Sequence, residues 1–258
     1  METYSDFAYC YDLFMDDIPY DDWAEYIAEL LKKRGIEDGL VCELGCGTGE
    51  ITMRLKENGY DMIGIDLSED MLMVARDKMY EEDMSDILYL HQDMRDFELY
   101  GTVRAFVSVC DSMNYILTEE DLLKVFKNVN NYLDRDGLFI FDMKTAHFYE
   151  NSYGNKTFSQ EREEGVLVWE NHYDKEKQLN SYDLTIDVFD PEENVYDEIK
   201  EHHVQRAYDI EVVKKLLEQA GLKFEYAYDA FTDKPVNETS DRIYVIAREG
   251  FQAEKKYI

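Results

Sequence analysis

Apolar and polar positions along the chain change period several times, and each change marks an element. Within 20–34, Trp23, Tyr26, Ile27, Leu30 and Leu31 recur at helical spacing among acids and lysines, which predicts an amphipathic helix. The apolar run GLVCEL at 39–44 predicts a short buried strand. The following EITMRLKENGY has helical character and stops at Gly59, a residue suited to a C-terminal cap. DMIGID at 61–66 predicts the next strand, and Ser68 the N-cap of a helix running to about Tyr80. Residues 86–93 and 103–110 are strand-like, Thr118 can cap a long helix through DLLKVFKNVNNYL, and Gly137 opens a further strand, LFIFDM.

Strands alternating with helices of this length predict right-handed βαβ units and a parallel sheet covered on both faces. The fold class is therefore α/β, a Rossmann-like doubly wound sheet. From about Lys156 to Arg206 the alternation stops. KTFSQERE, VLVWENHY, QLNSYDLTIDVF and VYDEIKEHHVQR are β-prone and are joined by turn-like EREEGV, DKEKQ and DPEENV, which predicts an antiparallel meander. DIEVVKKLLEQAG then predicts a helix ended by Gly221, and LKFEYAYDAF and RIYVIARE two more strands. The α/β pattern resumes after the meander. The expected organisation is one domain over 1–150 and 207–258, with 151–206 inserted as a lid or a dimer surface.

Composition narrows the function. Lys and Arg total 27 against 58 Asp and Glu, a net charge of −31 at pH 7. Such a surface repels phosphate backbones and anionic lipid, so neither nucleic acid nor membrane is expected as a partner. The N-terminal METYSDFAYCYD has neither a basic region nor an apolar core of a signal peptide, and no stretch is long enough to span a bilayer. The four cysteines (Cys10, Cys42, Cys46, Cys110) form no CxxC pair, so neither a metal site nor a disulfide framework is expected. The expected location is cytoplasmic.

The candidate chemistry sits in CELGCGTGE at 42–50, where a strand ends in a glycine-rich turn and runs into a helix. In open α/β sheets this arrangement binds phosphates and nucleotides. A dinucleotide loop needs G-x-G-x-x-G, but Glu50 stands where the third glycine belongs. A Walker A loop needs G-K-[ST], and no lysine follows Gly49. Glu50 is also a poor neighbour for a pyrophosphate, so a neutral or cationic ligand fits better. A nicotinamide-dependent oxidoreductase is the alternative that this spacing opposes.

Glu43, Gly45, Gly47 and Gly49 together form E-x-G-x-G-x-G, which resembles the first motif of the class I S-adenosylmethionine-dependent methyltransferases. Asp66 ends the second strand where that family places the acid that grips the ribose hydroxyls. QDMRDF at 92–97 follows the third strand, where the family has an acid near the adenine amino group. VCDSMNY at 109–115 follows the fourth, at the methionine end of the cofactor. The resemblance implies S-adenosylmethionine as cofactor, with S-adenosylhomocysteine as product. It implies cofactor contacts from Cys46, Leu67, Met71, Asp93, Met94, Cys110 and Asp111 as well as from Glu43, the three glycines and Asp66.

The N-terminal FAYCYDLFMDDIPYDDWAEYI is similar to small-molecule methyltransferases of this superfamily, including sugar N,N-dimethyltransferases and glycine N-methyltransferase relatives. Their tyrosines ahead of the first strand fold over the site, and Tyr11 and Tyr20 are the matching candidates. Neither D/N-P-P-Y/F nor a Pro-Cys pair is present, which sets nucleic-acid methylation aside. The resemblance thus implies methyl transfer to a nitrogen or oxygen of a small molecule. A cofactor-binding sensor of the same fold remains the second alternative.

Methyl transfer from a sulfonium needs alignment and exclusion of water more than a nucleophilic side chain, so no triad is expected. Tyr11 and His203 are the candidates for a catalytic part. Asn114 and Tyr115 after the fourth strand, with His202 and Arg206 from the meander, are the candidates for the acceptor. Trp169, Tyr173 and Tyr182 would supply aromatic walls. A homodimer through the meander is the other expected use of that insertion.

Overall fold

Strand β1 (Leu40–Leu44) is buried from its second residue onward, and it pairs with the second and the fourth strands of the chain. A computed structural model of the chain describes residues 7–190, 194–250 and 255. Strand β2 (Asp61–Asp66) and strand β3 (Leu88–His91) extend the sheet on one side of β1. On the other side lie β4 (Val103–Ser108), β5 (Leu133–Lys144) and the two last strands, β10 (Leu222–Asp229) and β11 (Arg242–Glu249). The order is β10-β11-β5-β4-β1-β2-β3. All pairings are parallel except those of β11, which runs antiparallel to both β5 and β10.

Helices cover both faces, because each carries one apolar stripe that must leave water. Helices α2 (Tyr20–Lys32), α3 (Glu50–Glu57) and α4 (Glu69–Glu81) bury Ile27, Leu31, Leu55, Leu72 and Ala75 on one face of the sheet. Helix α5 (Glu119–Tyr132) and helix α7 (Ile210–Gln219) bury Val125, Phe126, Val129, Val213 and Leu217 on the other. Burying each such side chain contributes roughly 1.5–3 kcal/mol. The caps read from the sequence form: Ser68 Oγ accepts from Met71 N at 3.2 Å, and Thr118 Oγ1 from Asp121 N at 3.1 Å.

The meander is a separate four-stranded antiparallel sheet, β6 (Thr157–Arg162), β7 (Gly165–Asp174), β8 (Leu179–Asp190) and β9 (Val195–Arg206), in sequential order. Residues 191–193 of the expected DPEENV joint lie outside the described residues. A one-turn helix α6 (Ala146–Phe148) and the turn Tyr149–Tyr153 lead into it from β5. One face of this sheet is covered by helix α1 (Ala8–Phe14), whose Phe7 flank, Cys10 and Phe14 pack on Leu167, Tyr182, Leu184 and Ile186.

Two details differ from the sequence expectation. Strand β5 begins at Leu133 rather than after Gly137, because Leu133 already pairs with Val103 before the register shifts and the regular ladder starts at Ala105 and Leu138. The N-terminal segment contains helix α1, whose short apolar face is recognisable only against the second sheet that it covers. Among the described residues, no helix is long and apolar enough to cross a membrane.

Candidate active site

The carboxyl ends of β1, β2, β3 and β4 open into one cavity of about 580 Å³, within the range of small-ligand sites. Its wall contains Tyr11, Tyr20, Glu43, Gly45, Cys46 and Gly47 from α1, α2 and the glycine turn. Asp66, Leu67 and Met71 follow from the β2–α4 junction, Asp93 and Met94 from the loop after β3, and Cys110 and Tyr115 from the loop after β4. Parallel strands bring these loops to one edge, which is why residues up to about a hundred positions apart share a wall.

The turn has the shape that a close-lying ligand requires. Gly45 has φ 72°, and a Cβ there would stand 2.6 Å from Ser112 Oγ, so any side chain would push the ends of β1 and β4 apart. Gly47, at φ 52°, has open space where its Cβ would be, and its N–H donates to Asp66 Oδ2 at 2.8 Å. Ser68 N donates to Asp66 Oδ1, also at 2.8 Å. One carboxylate thus ties the glycine turn to the start of α4. Each of its oxygens keeps acceptor capacity for a diol. Burial raises the Asp66 pKa, opposed by the amides of Ser68 and Gly47.

Glu43 lies behind the turn, 2% exposed, and accepts from the Thr52 hydroxyl. Burial pushes its pKa up from 4.5 to about 8, the Thr52 hydrogen bond opposing and the Asp66 charge adding to the rise. Between those two pH values the folded chain holds a proton that an unfolded glutamate has lost, so this residue makes stability fall as the pH climbs through the window. Glu43→Gln is expected to remove that slope. Urea unfolding at pH 5.5 and 8.5 should show the native chain losing on the order of 3 kcal/mol more than the variant across the interval. Equal losses would mean that Glu43 ionises normally.

The N-terminal helix is fastened over the turn by Asp12, which accepts from Thr48 Oγ1 and from Lys78 Nζ, both at 2.7 Å. This places Tyr11 and Tyr20 on the cavity wall. In the loop after β3, Asp93 is held by Arg95, with Nε 2.9 Å from both carboxylate oxygens. Burial would raise the Asp93 pKa, but the Arg95 contacts leave it lowered.

Eight of the residues singled out from sequence do not line this cavity (Asp111, Asn114, Trp169, Tyr173, Tyr182, His202, His203 and Arg206), and Gly49 is a ninth. Gly49 is the N-cap of α3 and packs against Tyr89. Cys110 and Asp111 both adopt left-handed backbone, φ 57° and 58°, an uncommon and costly conformation away from glycine. The Asp111 amide donates to Asp142 Oδ1 at 2.7 Å, and its carboxylate turns into a buried charge cluster. There it meets Arg242 Nη2 at 2.8 Å, Lys144 Nζ at 3.1 Å and Gln205 Nε2 at 2.7 Å. Burial alone would raise the Asp111 pKa, yet Lys144 and Arg242 hold it below the ordinary value. Arg242 also pairs with Asp142 and lies 5.0 Å from the Trp23 ring.

Asn114 is a fully buried strut: its amide donates to Lys144 O and Arg206 O, and its carbonyl accepts from Lys144 N. Arg206 donates to Leu117 O at 2.9 Å. Successive strand residues point to opposite faces, so His202 is exposed beside Asp183 at 2.7 Å while His203 is fully buried. The wall residues that the sequence did not mark include Thr48, Ile65, His91, Ser112 and Ile116. Ser112 had a readable neighbour, since its hydroxyl donates to Gly45 O at 3.2 Å and Gly45 was already singled out.

Residues 41–137, which carry the turn, Asp66, Asp93 and Tyr115, match the family described as "Methyltransferase domain". Over 95% of the chain it is 33% identical to the putative methyltransferase YqeM of Bacillus subtilis, covering 96% of that protein. The chain belongs to the methyltransferase family. This methyltransferase also superposes on the crystal structure of an S-adenosylmethionine-dependent methyltransferase from Clostridium acetobutylicum, at TM-score 0.84 and 29% identity, over 97% of this chain and 100% of that one. Over 53% of its length it is 34% identical to the dTDP-3-amino-3,4,6-trideoxy-alpha-D-glucopyranose N,N-dimethyltransferase of Streptomyces venezuelae, 56% of which is covered. Its cofactor is S-adenosylmethionine, and the donor set fits: acceptors for a diol at Asp66, a glycine turn that admits close approach, and the carboxylates of Glu43 and Glu50 on the cavity wall beside it.

Proposed function

We propose that this methyltransferase moves the sulfonium methyl of S-adenosylmethionine to an amine nitrogen, or a hydroxyl oxygen, of a small molecule. The observation that carries this reading is the Asp66 carboxylate, held by Gly47 N and Ser68 N on the wall of a cavity closed by Tyr11, Tyr20 and Tyr115. When bound, the cofactor supplies an activated methyl group. Asp66 would hold the ribose, Gly45 to Gly47 the backbone of the methionine part, and Asp93 and Met94 the adenine end.

A second cavity of about 420 Å³ shares Tyr20 and Glu50 with the first, and its other charged residues are Asp12, Asp16, Asp21 and Asp22 against the single cation Arg54. An approach lined this way attracts a cationic amine and repels phosphate, which favours nitrogen over oxygen and a small acceptor over nucleic acid. The sugar N,N-dimethyltransferase relative, an enzyme of amine nitrogen by its name, supports the same choice. In this reading the second sheet supports the site from behind, since α1, which brings Tyr11 to the cavity wall, packs on one of its faces.

The test is S-adenosylhomocysteine release from the full chain with glycine, sarcosine, dTDP-3-amino-3,4,6-trideoxyglucose, lactate and phenol as acceptors. The expected result is turnover with an amine and none with NADH-linked reactions. Cofactor binding without turnover of any acceptor would favour a sensor, and stabilisation by NADH but not by S-adenosylhomocysteine would overturn the reading.

A further inference from the structure

Behind Tyr115 stands a line of polar groups that cofactor binding does not use. Tyr115 lines the cavity at the end of the 3-10 turn Ser112–Tyr115. Its hydroxyl lies 2.5 Å from Tyr182 Oη and 3.2 Å from His203 Nδ1. Tyr182 and His203 face each other across β8 and β9, their rings stacked at 4.8 Å with planes 12° apart. On its far side His203 places Nε2 2.8 Å from Glu201 Oε2, two residues back on the same face of β9. The Glu201 side chain is only 3% exposed and that of His203 0%.

This arrangement is costly as mere packing. The same faces of β7 and β8 carry Leu167, Leu184 and Ile186 in contact with α1, and their other buried polar pair, Asn171 and Asn180, is satisfied by mutual amide hydrogen bonds of 2.8 Å. A buried imidazole and carboxylate there are costly to take out of water, whereas leucine would cost nothing of the kind. A carboxylate beside Nε2 favours the tautomer with its proton on Nε2, which leaves Nδ1 to accept from the Tyr115 hydroxyl.

We propose that Tyr115, His203 and Glu201 form a proton relay that takes the surplus proton from the methylated acceptor, with Tyr182 fixing the Tyr115 hydroxyl. This rests on the reading of the chain as a transferase to an N–H or O–H acceptor. Methyl transfer leaves a neutral thioether on one side and one proton too many on the acceptor nitrogen or oxygen. That N–H or O–H bond breaks, its proton passes to Tyr115 Oη, and the Tyr115 hydroxyl proton passes to His203 Nδ1. The imidazolium so formed lies beside the Glu201 carboxylate and, once the product has left, returns its proton through Tyr115 to water in the cavity. Charge is conserved throughout, and neither oxidant nor reductant is needed. Tyr115 meets the cavity directly, while His203 and Glu201 are positioning residues that act through it.

A protonated His203 cannot accept, so the relay makes turnover fall toward low pH. The groups that bear on it are Tyr115 from the turn after β4, Tyr182 from β8 and Glu201 from β9, with Cys10 of α1 packed in the same cluster as Tyr182. Burial pushes the Tyr182 phenol up, and the nearby Asp111 charge adds to that rise.

Two measurements on the full chain test this. In the first, the protein carries ¹⁵N-labelled histidine and bound S-adenosylhomocysteine. His203, assigned by its loss in His203→Gln, should show a protonated Nε2 and an acceptor Nδ1. Tyr115→Phe, which removes one oxygen and no packing, should move the Nδ1 resonance. A proton on Nδ1, or an Nδ1 unmoved by Tyr115→Phe, would overturn the relay whatever the acceptor proves to be. The second uses the amine that turns over in the acceptor panel. His203→Gln and Tyr115→Phe should lower kcat by roughly 10- to 100-fold and flatten its acid limb, with KM for S-adenosylmethionine within about threefold. Native kcat with an unchanged acid limb in both variants would also overturn it. If every acceptor in the panel fails, the resonances still decide the relay, and the failure falls on the acceptor reading alone.

Discussion

The Asp66→Ala variant is expected to fold normally and to lose about 2–3 kcal/mol of affinity for S-adenosylhomocysteine, a rise in Kd of roughly 30- to 150-fold. Two effects add. The ribose hydroxyls lose a charged acceptor, and the N–H groups of Gly47 and Ser68, each now 2.8 Å from a carboxylate oxygen, lose theirs. The second effect loosens the turn that the ligand lies against. Asp66→Asn separates the two, since its single carbonyl can still serve one amide, and it should fall between the native chain and the alanine variant. Calorimetric titration of the three proteins measures this directly. An alanine variant that binds as tightly as the native chain would remove Asp66 from the cofactor site.

Arg242→Met is expected to cost about 3–5 kcal/mol of stability, because it leaves buried carboxylates without their partner. Arg242 contacts Asp142 and Asp111, and Lys144 alone would remain to balance the two. Burial raises the Asp142 pKa even in the intact cluster, where Arg242 opposes the rise and Asp111 adds to it. In the variant that restraint is gone, and Asp142 should take up a proton. The melting temperature should drop by on the order of 10 °C for a domain of this size. Pairing the change with Asp142→Leu removes the stranded charge and should recover part of the loss, as expected when both members of a buried ion pair are replaced together. A single variant as stable as the native chain would mean that the cluster is solvated in solution.

The cluster also shows where reading the chain in order reaches its limit. The glycine turn, Asp66 and the strand–helix alternation are local: each rests on residues within a few positions, whose backbone preferences and periodicity decide the element. They appear in the structure in the expected order, the early start of β5 at Leu133 apart, and with the caps at Ser68 and Thr118. Asp111 was readable as a residue after the fourth strand but not as an ion-pair partner. Its side chain is turned by two consecutive left-handed residues and caught by Lys144, Gln205 and Arg242, the last of them 131 positions away.

The adjacent histidines make the same point. Strand alternation requires His202 and His203 to face opposite ways. Which of them is buried depends on the β8–β9 register that sets Tyr182 opposite His203, and on the cover that α1 provides. Hydrophobic period and turn chemistry act within a few residues, so the sequence by itself determined the α/β sheet, the glycine turn and the presence of an antiparallel insertion. Register between distant strands, and the need to pair every buried charge, act only once the chain has closed on itself. Those tertiary constraints decided that Asn114 and Asp111 hold the frame together, and that Tyr115 is backed by His203.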